Sequence, residues 1–333
     1  MTTYRKEAIP VEHDAWLKQR SKGIGGSDAG TVMGVNEYKS AFTLWAEKTG
    51  QLEAPYQSSE AIRLGHDLED YVAKRFCEAE GKRVKRSSFC FESKAHPYMR
   101  ANVDRLVIGE NAVLECKTAN MMKGASYRKD EIPATYYYQC LHYMAVLGLD
   151  RVYLAVLVFS HGLYTFVIDR SDPQIQQDME YLVQKEEEFW KHVEDGTRPE
   201  IDGSESTADT IATLYGRAPE DTQSFLDLTE MTPDFERRAL LKSEVAELNS
   251  RVKAVKAEIQ EIENRIGSSL EEFGQGICGG MVAIWKESST TILDQQRLKE
   301  EYPEIAAECR KTNTKMRLSV KKAPKPKKKK EGK

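Results

Sequence analysis

The sequence lacks the long apolar segment that a membrane-spanning helix requires. Its longest uninterrupted apolar run, residues 152–159, is far shorter than the roughly 20 residues needed to cross a bilayer. No apolar segment follows Met1, as a secretory signal peptide would require. We therefore expect a cytoplasmic protein with no membrane partner.

Clustered cysteines are also missing. The six cysteines include no C-x-x-C pair, and none stands near histidines at the spacing of a zinc site. Grouped cysteines would also be needed to ligate an iron–sulfur cluster. We therefore expect no disulfide framework, no structural zinc and no iron–sulfur cluster.

A net positive charge is missing from the chain outside one short segment. Residues 321–333 hold eight lysines and one glutamate, a net charge of +7, so the rest of the chain carries −11 of the total −4. An acidic body repels a polyanion at long range, and composition alone therefore does not indicate DNA binding. We expect the lysine-rich tail to be disordered, either as a non-specific phosphate-binding arm or, the interpretation we favour, as a solubilising tail.

What is present indicates a globular chain of more than one unit. With 333 residues and 40% hydrophobic residues, the chain exceeds the usual single domain and can build a core. The sequence predicts a first unit (1–199), a linker rich in Asp, Ser, Thr, Pro and Gly (200–232), a coiled-coil helix (233–275), a small unit (276–320) and the tail (321–333). In the small unit we expect strands at 279–286 and 316–320 around a helix at 294–311.

Hydrophobic periodicity in the first unit alternates between the helical and the strand repeat. Helices are predicted at 10–18, 29–33, 42–45, 58–80, 134–149 and 173–193, and strands at 88–92, 101–108, 112–118, 151–160 and 163–169, with hairpin turns at 109–111 and 161–162. This order predicts an α/β fold with a mixed central sheet flanked by helices.

Beyond the linker, apolar residues recur at alternating steps of four and three, the a/d repeat of a coiled coil. They are Leu241, Val245, Leu248, Val252, Val255, Ile259, Ile262 and Ile266. Such a helix either joins a second chain or forms an antiparallel hairpin with another helix of the same chain, and we weigh the two equally.

Three charged residues on two predicted strands indicate a metal-dependent phosphodiesterase. Asp104 lies on one strand, and Glu115 and Lys117 share a face of the strand across the hairpin because side chains alternate. Two carboxylates suit Mg²⁺, while the lysine can orient a water. A D…E-x-K pattern also arises by chance on a solvated sheet face, but strongly apolar neighbours favour a cleft.

Two further residues become candidates beside this triad. Glu69 lies on the preceding helix, where an exposed acid without function is the usual alternative. Gln139 and Tyr143 are four residues apart and share a face of the following helix, where an amide could hold a phosphate oxygen or the attacking water, unless both simply pack in the core. We assign the functional role to Gln139 in preference to Tyr143.

Together these motifs resemble a known family. Residues 20–29 (RSKGIGGSDA), 65–69 (GHDLE), Asp104, 115–117 (ECK) and 139–143 (QCLHY) occur in the order found in YqaJ-type viral recombinase nucleases, which belong with bacteriophage lambda exonuclease in the PD-(D/E)XK superfamily. The resemblance covers about residues 12–195. Val103 stands where the superfamily name has proline.

The resemblance implies a restriction-endonuclease-like core and a 5′-to-3′ exonuclease on double-stranded DNA ends, leaving 3′ single strands for an annealing protein in phage-type recombination. It implies Mg²⁺, replaceable by Mn²⁺, bound by Asp104, Glu115, the Cys116 carbonyl and, directly or through water, Glu69. Lys117 would orient or deprotonate the water, and Gln139 would support the scissile phosphate. Arg20 and Ser27 would form a pocket for a 5′-phosphate, which suits a planar guanidinium. It also implies a homo-oligomer, although the coiled coil lies outside the resemblance to lambda exonuclease.

Two other functions fit the same residues. One is an endonuclease that uses the same triad and, unlike an exonuclease, cuts a covalently closed circle. The other is a DNA-binding assembly protein, held together by the coiled coil, whose nuclease site is vestigial.

Overall fold

A computed structural model of the chain describes residues 2–53, 59–120, 127, 131–216, 226–311 and 319–320. It divides into two units, Met1–Arg217 and Ala218–Lys333. The helices of the first unit are α1 (His13–Ser21), α2 (Gly26–Val32), α3 (Ala41–Lys48), α4 (Glu60–Glu80), α5 (Ala134–Leu147), α6 (Pro173–Asp195) and α7 (Glu205–Tyr215). Its strands are β1 (Tyr4–Ala8), β2 (Ile24–Gly25), β3 (Val84–Arg86), β4 (Phe89–Ser93), β5 (Met99–Asn102), β6 (Arg105–Val107), β7 (Ala112–Ala119), β8 (Arg151–Val158) and β9 (Gly162–Asp169).

These strands form two sheets. One has the order β1-β4-β5-β2, and the other has the order β3-β6-β7-β8-β9. Within the larger sheet β7 and β8 run parallel, while the remaining neighbours are antiparallel. The smaller sheet also contains both kinds of pair, and helices pack on both sheets. The mixed α/β fold predicted from the sequence is confirmed.

Side chains along β7 alternate between the two faces of the sheet, and each face packs against a different helix. Val113 is buried with α5 residues such as Leu141 in one core cluster, and Leu114 is buried with Val72 and Phe76 of α4 in another. The sheet is therefore covered by α5 on one face and by α4 on the other. Because side chains two apart share a face, Glu115 and Lys117 lie on the α5 side.

The predicted strand over residues 101–108 is wrong as a single element. It is broken at Val103 and Asp104, because β5 belongs to the smaller sheet and β6 to the larger one. The predicted turn at 109–111 does join β6 to β7. Glycine stops are placed as expected for α4, which ends at Gly81 with φ of 65°.

The predicted linker, residues 200–232, differs from the structure because it contains α7. Hydroxyl groups hold this helix: Thr43 Oγ1 lies 2.8 Å from both Ser206 Oγ and Thr210 Oγ1. The first unit consequently extends to residue 217. Residues 217–225 lie outside the described residues.

The second unit begins with α8 (Thr232–Leu270), a helix of 39 residues that contains the whole predicted heptad segment. A hairpin of β10 (Gln275–Cys278) and β11 (Met281–Ile284) follows, then α9 (Gln295–Glu301) and α10 (Pro303–Glu308). The strand predicted over 279–286 corresponds to β11, which starts later because Gly279 and Gly280 both adopt positive φ and form the hairpin turn. Strand β10 was not predicted.

Two predictions for the C-terminal region fall outside the described residues. They are most of the strand at 316–320 and the disordered lysine-rich tail at 321–333. Across the described helices, none combines the length and the apolar content that a membrane span needs.

Candidate active site

Asp104 lies where the chain passes from one sheet to the other. In the β6–β7 register Arg105 faces Leu114, and extending that antiparallel register by one pair sets Asp104 opposite Glu115. Asp104 Oδ2 accepts a hydrogen bond of 2.8 Å from the backbone N–H of Cys116. The crossing between sheets thus brings the two carboxylates together at one end of β6.

Glu115 is buried, with 3% of its surface exposed, and its two carboxylate oxygens have different surroundings. Oε1 accepts hydrogen bonds of 2.6 Å from Lys117 Nζ and from Gln139 Nε2. Oε2 is buried and has no hydrogen-bond partner. A buried carboxylate oxygen without a partner is costly, so this atom is a candidate to bind a cation or a water.

Gln139 and Tyr143 lie one turn apart on α5 and act as one hydrogen-bonded unit. The Gln139 amide donates to the Tyr143 hydroxyl at 2.7 Å as well as to Glu115. Burial, followed by the negative charges of Glu115 and Asp104, raises the pKa of Tyr143 well above its ordinary value. Tyr143 is therefore a neutral phenol that fixes the orientation of the amide.

Lys117 reaches the same pocket from β7. Its Nζ lies 2.6 Å from Glu115 Oε1 and 5.3 Å from the ring centroid of Tyr136, a distance at which a cation is attracted to the ring. Burial opposes its charge, but the carboxylates of Glu115 and Asp104 outweigh it and raise the pKa of Lys117. The side chain is thus a charged donor.

The Cys116 thiol and the Cys116 backbone point to different places. The thiol packs with the α4 cluster, and burial together with the nearby carboxylates raises its pKa well above the ordinary value. The backbone N–H faces Asp104. Because the N–H and C=O of a strand residue point to the same edge, the Cys116 carbonyl faces Asp104 too.

Glu69 is held by arginines. Its Oε1 accepts a short hydrogen bond from Arg105 and lies 3.5 Å from Arg86 Nη2. Arg105 is buried and also donates 2.7 Å to the Asp104 carbonyl oxygen. The predicted acid therefore lies beside Asp104, with Arg105 tying the two together.

Arg20 and Ser27 are brought into contact, with Arg20 Nη2 donating 2.9 Å to Ser27 Oγ. The Arg20 guanidinium also stacks 4.9 Å over the Trp16 ring. The neighbouring Gly26 lies against the site, because a Cβ placed there would come within 2.4 Å of Tyr143 Cε1. A series of contacts, from Gly26 to Tyr143, from Tyr143 to Gln139 and from Gln139 to Glu115, connects the Arg20–Ser27 pair to the site.

The donor set suits a divalent cation. Asp104, Glu115 Oε2 and the Cys116 carbonyl are hard oxygen donors of the kind that Mg²⁺ prefers. Burial and the adjacent Glu115 charge raise the pKa of Asp104 to about 8, a repulsion that a bound cation would relieve. Among the described residues no three His, Cys, Asp or Glu side chains cluster as a metal site, consistent with Glu69 facing Arg105.

The sequence analysis did not single out Arg105, nor the contact of Tyr143 with Gly26. Within the predicted strand over 101–108 Arg105 directly follows Asp104, so alternation predicts that its side chain turns to the opposite face, a signal that was available. The packing of Tyr143 against Gly26 joins residues more than 100 positions apart in the sequence, so it leaves no local pattern.

The sequence is similar to that of known proteins. A model of the YqaJ-like viral recombinase domain matches residues 15–150. The uncharacterized protein YqaJ of Bacillus subtilis (strain 168) is 34% identical over 329 residues, covering 96% of this chain and 99% of that protein.

Solved structures resemble part of the chain more distantly. The alkaline exonuclease LHK-Exo from Laribacter hongkongensis is 18% identical with a TM-score of 0.47, covering 55% of this chain and 93% of that chain. A phage-related exonuclease from Haemophilus somnus 129PT is 12% identical with a TM-score of 0.40, covering 54% of this chain and 98% of that chain.

Proposed function

Because the chain belongs to the family of YqaJ-like viral recombinase domains, we propose that it is a metal-dependent DNA exonuclease that prepares ends for recombination. The resemblance found from its motifs is thereby confirmed at the level of the family. The substrate we propose is the end of double-stranded DNA, digested 5′ to 3′ to leave a 3′ single strand for an annealing protein.

The observation that carries the proposal is the orphaned Oε2 of Glu115. Lys117 and Gln139 both bind Oε1, so the carboxylate is held in one orientation with its second oxygen unpaired and next to Asp104. A buried carboxylate oxygen without a partner costs free energy, which a bound cation or water would recover. An oxygen kept free inside a buried acidic pocket fits a ligand for Mg²⁺, with Mn²⁺ as a substitute.

In this proposal Asp104, Glu115 and the Cys116 carbonyl would hold the cation, with Glu69 as a further ligand, either directly or through water. The cation would supply charge neutralisation on the phosphodiester and a lowered pKa for a bound water. Lys117 would orient the attacking water, and Gln139 would fix both Glu115 and the approaching phosphate. The bond from phosphorus to the 3′ oxygen breaks, and that oxygen leaves with a proton from solvent.

Arg20 and Ser27 lie at the exposed side of the glycine-rich segment that contacts Tyr143. A guanidinium beside a hydroxyl suits the terminal 5′-phosphate, which carries more charge than an internal phosphodiester. We therefore expect Arg20→Ala to remove the preference for 5′-phosphorylated over 5′-hydroxyl ends.

The test compares linear duplexes labelled at the 5′ or the 3′ end with a covalently closed circle, each with Mg²⁺ or a chelator. The proposal predicts metal-dependent loss of the linear substrate, release of 5′ nucleotides first, and an intact circle. Asp104→Ala should abolish digestion, whereas Asp67→Ala, which removes an exposed acid on α4 near Glu69, should not. Cleavage of the circle would establish the endonuclease instead, and inertness of the wild type toward both substrates would favour the binding protein.

A further inference from the structure

The long helix α8 exposes a continuous apolar stripe in the described part of the second unit. The apolar seam consists of Leu241, Val245, Leu248, Val252, Val255, Ile259, Ile262 and Ile266. Each of these side chains is between 40% and 55% exposed. A contiguous apolar stripe about 39 Å long, left open to water, marks an interaction surface.

The chain covers its own helix directly beyond this seam. A Cβ placed at Gly267 would lie 2.3 Å from Trp285, so the residue after β11 packs flat against the helix there. The other α-helices described in the second unit, Gln295–Glu301 and Pro303–Glu308, have seven and six residues. Neither is long enough to cover eight seam residues.

Charges beside the seam discriminate between the possible partners. In heptad terms Val245, Val252, Ile259 and Ile266 are a positions, and the g positions before them alternate in sign: Arg237, Glu244, Arg251, Glu258 and Arg265. The e positions are Lys242, Asn249, Lys256 and Glu263. Residues at g and e flank the seam and set the orientation of the partner.

A parallel pair of two copies is disfavoured by these charges. Parallel packing sets each g residue beside the e residue five positions later in the other helix. Arg251 then meets Lys256, and Glu258 meets Glu263. Arg237 meets Lys242 in the same way, Glu244 meets the neutral Asn249, and no such pair has opposite charges.

In an antiparallel pair of two copies, one register places opposite charges beside each other. With Leu241 opposite Ile266 of the second copy, every seam residue packs against a seam residue, because 245 meets 262, 248 meets 259 and 252 meets 255. Antiparallel packing brings g beside g, so Arg251 meets Glu258 and Glu244 meets Arg265. By the two-fold symmetry each of these opposite-charge pairs occurs twice.

Neighbouring registers lose this match. A shift of one heptad in one direction sets Arg251 beside Arg265 and Glu258 beside its own copy. A shift in the other direction sets Arg251 beside its own copy and Glu244 beside Glu258. Since like charges at these positions repel, the sequence specifies both orientation and register.

We propose that α8 is a self-association surface that binds a second copy of this chain as an antiparallel coiled coil centred between Val252 and Val255. The starts of the two helices, at Thr232, then lie about 65 Å apart at opposite ends of the rod. Each end connects to one first unit, so the coil joins two such units without requiring contact between them. This interaction is independent of the proposed nuclease activity.

The orientation is tested by disulfide cross-linking of the full-length chain. Cys278 and Cys309 are exposed and are first replaced by serine. One tagged chain then carries Val245→Cys, and a differently tagged chain carries Ile262→Cys. The proposal predicts a mixed disulfide between the two chains and no disulfide within either population alone. Disulfides in each single population would show a parallel pair, and absence of any cross-link would show that the seam does not bind a second copy; both overturn the proposal.

Charge reversal provides a second measurement with the same cross-link as readout. Arg251→Glu creates two Glu–Glu contacts in the antiparallel pair, and we expect it to raise the protein concentration needed for half-maximal cross-linking at least tenfold. Arg251→Glu with Glu258→Arg in the same chain exchanges the signs and should restore cross-linking to within about threefold. Lys253→Glu, a reversal away from the seam at a b position, is the matched control. Failure of the double exchange to restore cross-linking would contradict the register.

Discussion

The contact between Gly26 and Tyr143 links the glycine-rich segment to the site, and it gives a sharp prediction. Gly26 is the first residue of α2, and a Cβ there would lie 2.4 Å from Cε1 and 2.9 Å from Cζ of Tyr143. These distances are shorter than any relaxed carbon–carbon contact. Gly26→Ala therefore forces the tyrosine ring to move.

The expected cost follows from packing. Tyr143 is buried and is hydrogen-bonded to Gln139, so the ring has little room to shift. Overpacking a filled core by one methyl group costs roughly 1–3 kcal/mol. For a unit of about 200 residues each kcal/mol lowers the melting temperature by about 2–4 °C. Movement of the tyrosine should also loosen the amide that holds Glu115, so nuclease activity should fall.

The neighbouring glycine provides a matched control. A Cβ at Gly25 would lie 3.6 Å from Asp28 Oδ2, an ordinary contact, and its φ of −93° is open to any residue. Gly25→Ala should therefore leave the free energy of unfolding within about 0.5 kcal/mol of the wild type. In a Tyr143→Ala background, Gly26→Ala should cost nearly nothing because the clashing ring is gone. Equal effects of the two glycine substitutions, or an undiminished cost without the ring, would refute the reasoning.

Three further predictions rest on other contacts. Lys48 Nζ lies 2.8 Å from Asp28 Oδ2 with both side chains buried, so Lys48→Met should lower the free energy of unfolding by about 3–5 kcal/mol in urea titrations, and a loss under 1 kcal/mol would contradict it. Glu186, buried 2.8 Å from His142 Nδ1, outweighs desolvation and raises the pKa of His142. The resulting stability is complete below pH 6.5 and is lost as pH rises through the folded-state pKa, so the destabilisation by Glu186→Gln should be larger at pH 6 than at pH 9, and equal values would count against the pair. If the lysine-rich tail is solubilising, deletion of 321–333 should leave the salt dependence of DNA affinity unchanged, whereas a slope reduced by several units would indicate phosphate binding.

Features of the fold and the site could be predicted from the sequence where residues close together in the chain determine them. Glu115 and Lys117 share a face because strands alternate, and a short hairpin returns the chain beside Asp104, so these neighbours could be predicted. The break before Asp104 could not, because it reflects a change of sheet decided by distant pairing. Helix α7 was missed since hydroxyl contacts to Thr43, and not an apolar repeat, hold it in place.

In the site, too, contacts set by local spacing could be predicted and contacts set by distant packing could not. Gln139 was identified from helical spacing and does bind Glu115. The arginine partners of Glu69 depend on how α4 packs against β6, which residue spacing does not reveal. The roles predicted for the site residues all stay predictions: metal binding by Asp104, Glu115, Cys116 and Glu69, catalysis by Lys117 and Gln139, and 5′-phosphate binding by Arg20 and Ser27.

The central claim is that the protein cleaves DNA with the help of a cation held by Asp104 and Glu115. The most direct test measures single-turnover cleavage of a linear 5′-phosphorylated duplex by the wild type and by Glu115→Gln, with duplex affinity measured separately in Ca²⁺. Loss of an outer partner of a metal site already costs about 10–100-fold, so loss of the carboxylate should slow Mg²⁺-dependent cleavage by more than about 100-fold with affinity little changed. Cleavage by Glu115→Gln at the wild-type rate, or wild-type cleavage in the presence of a chelator, would contradict the account.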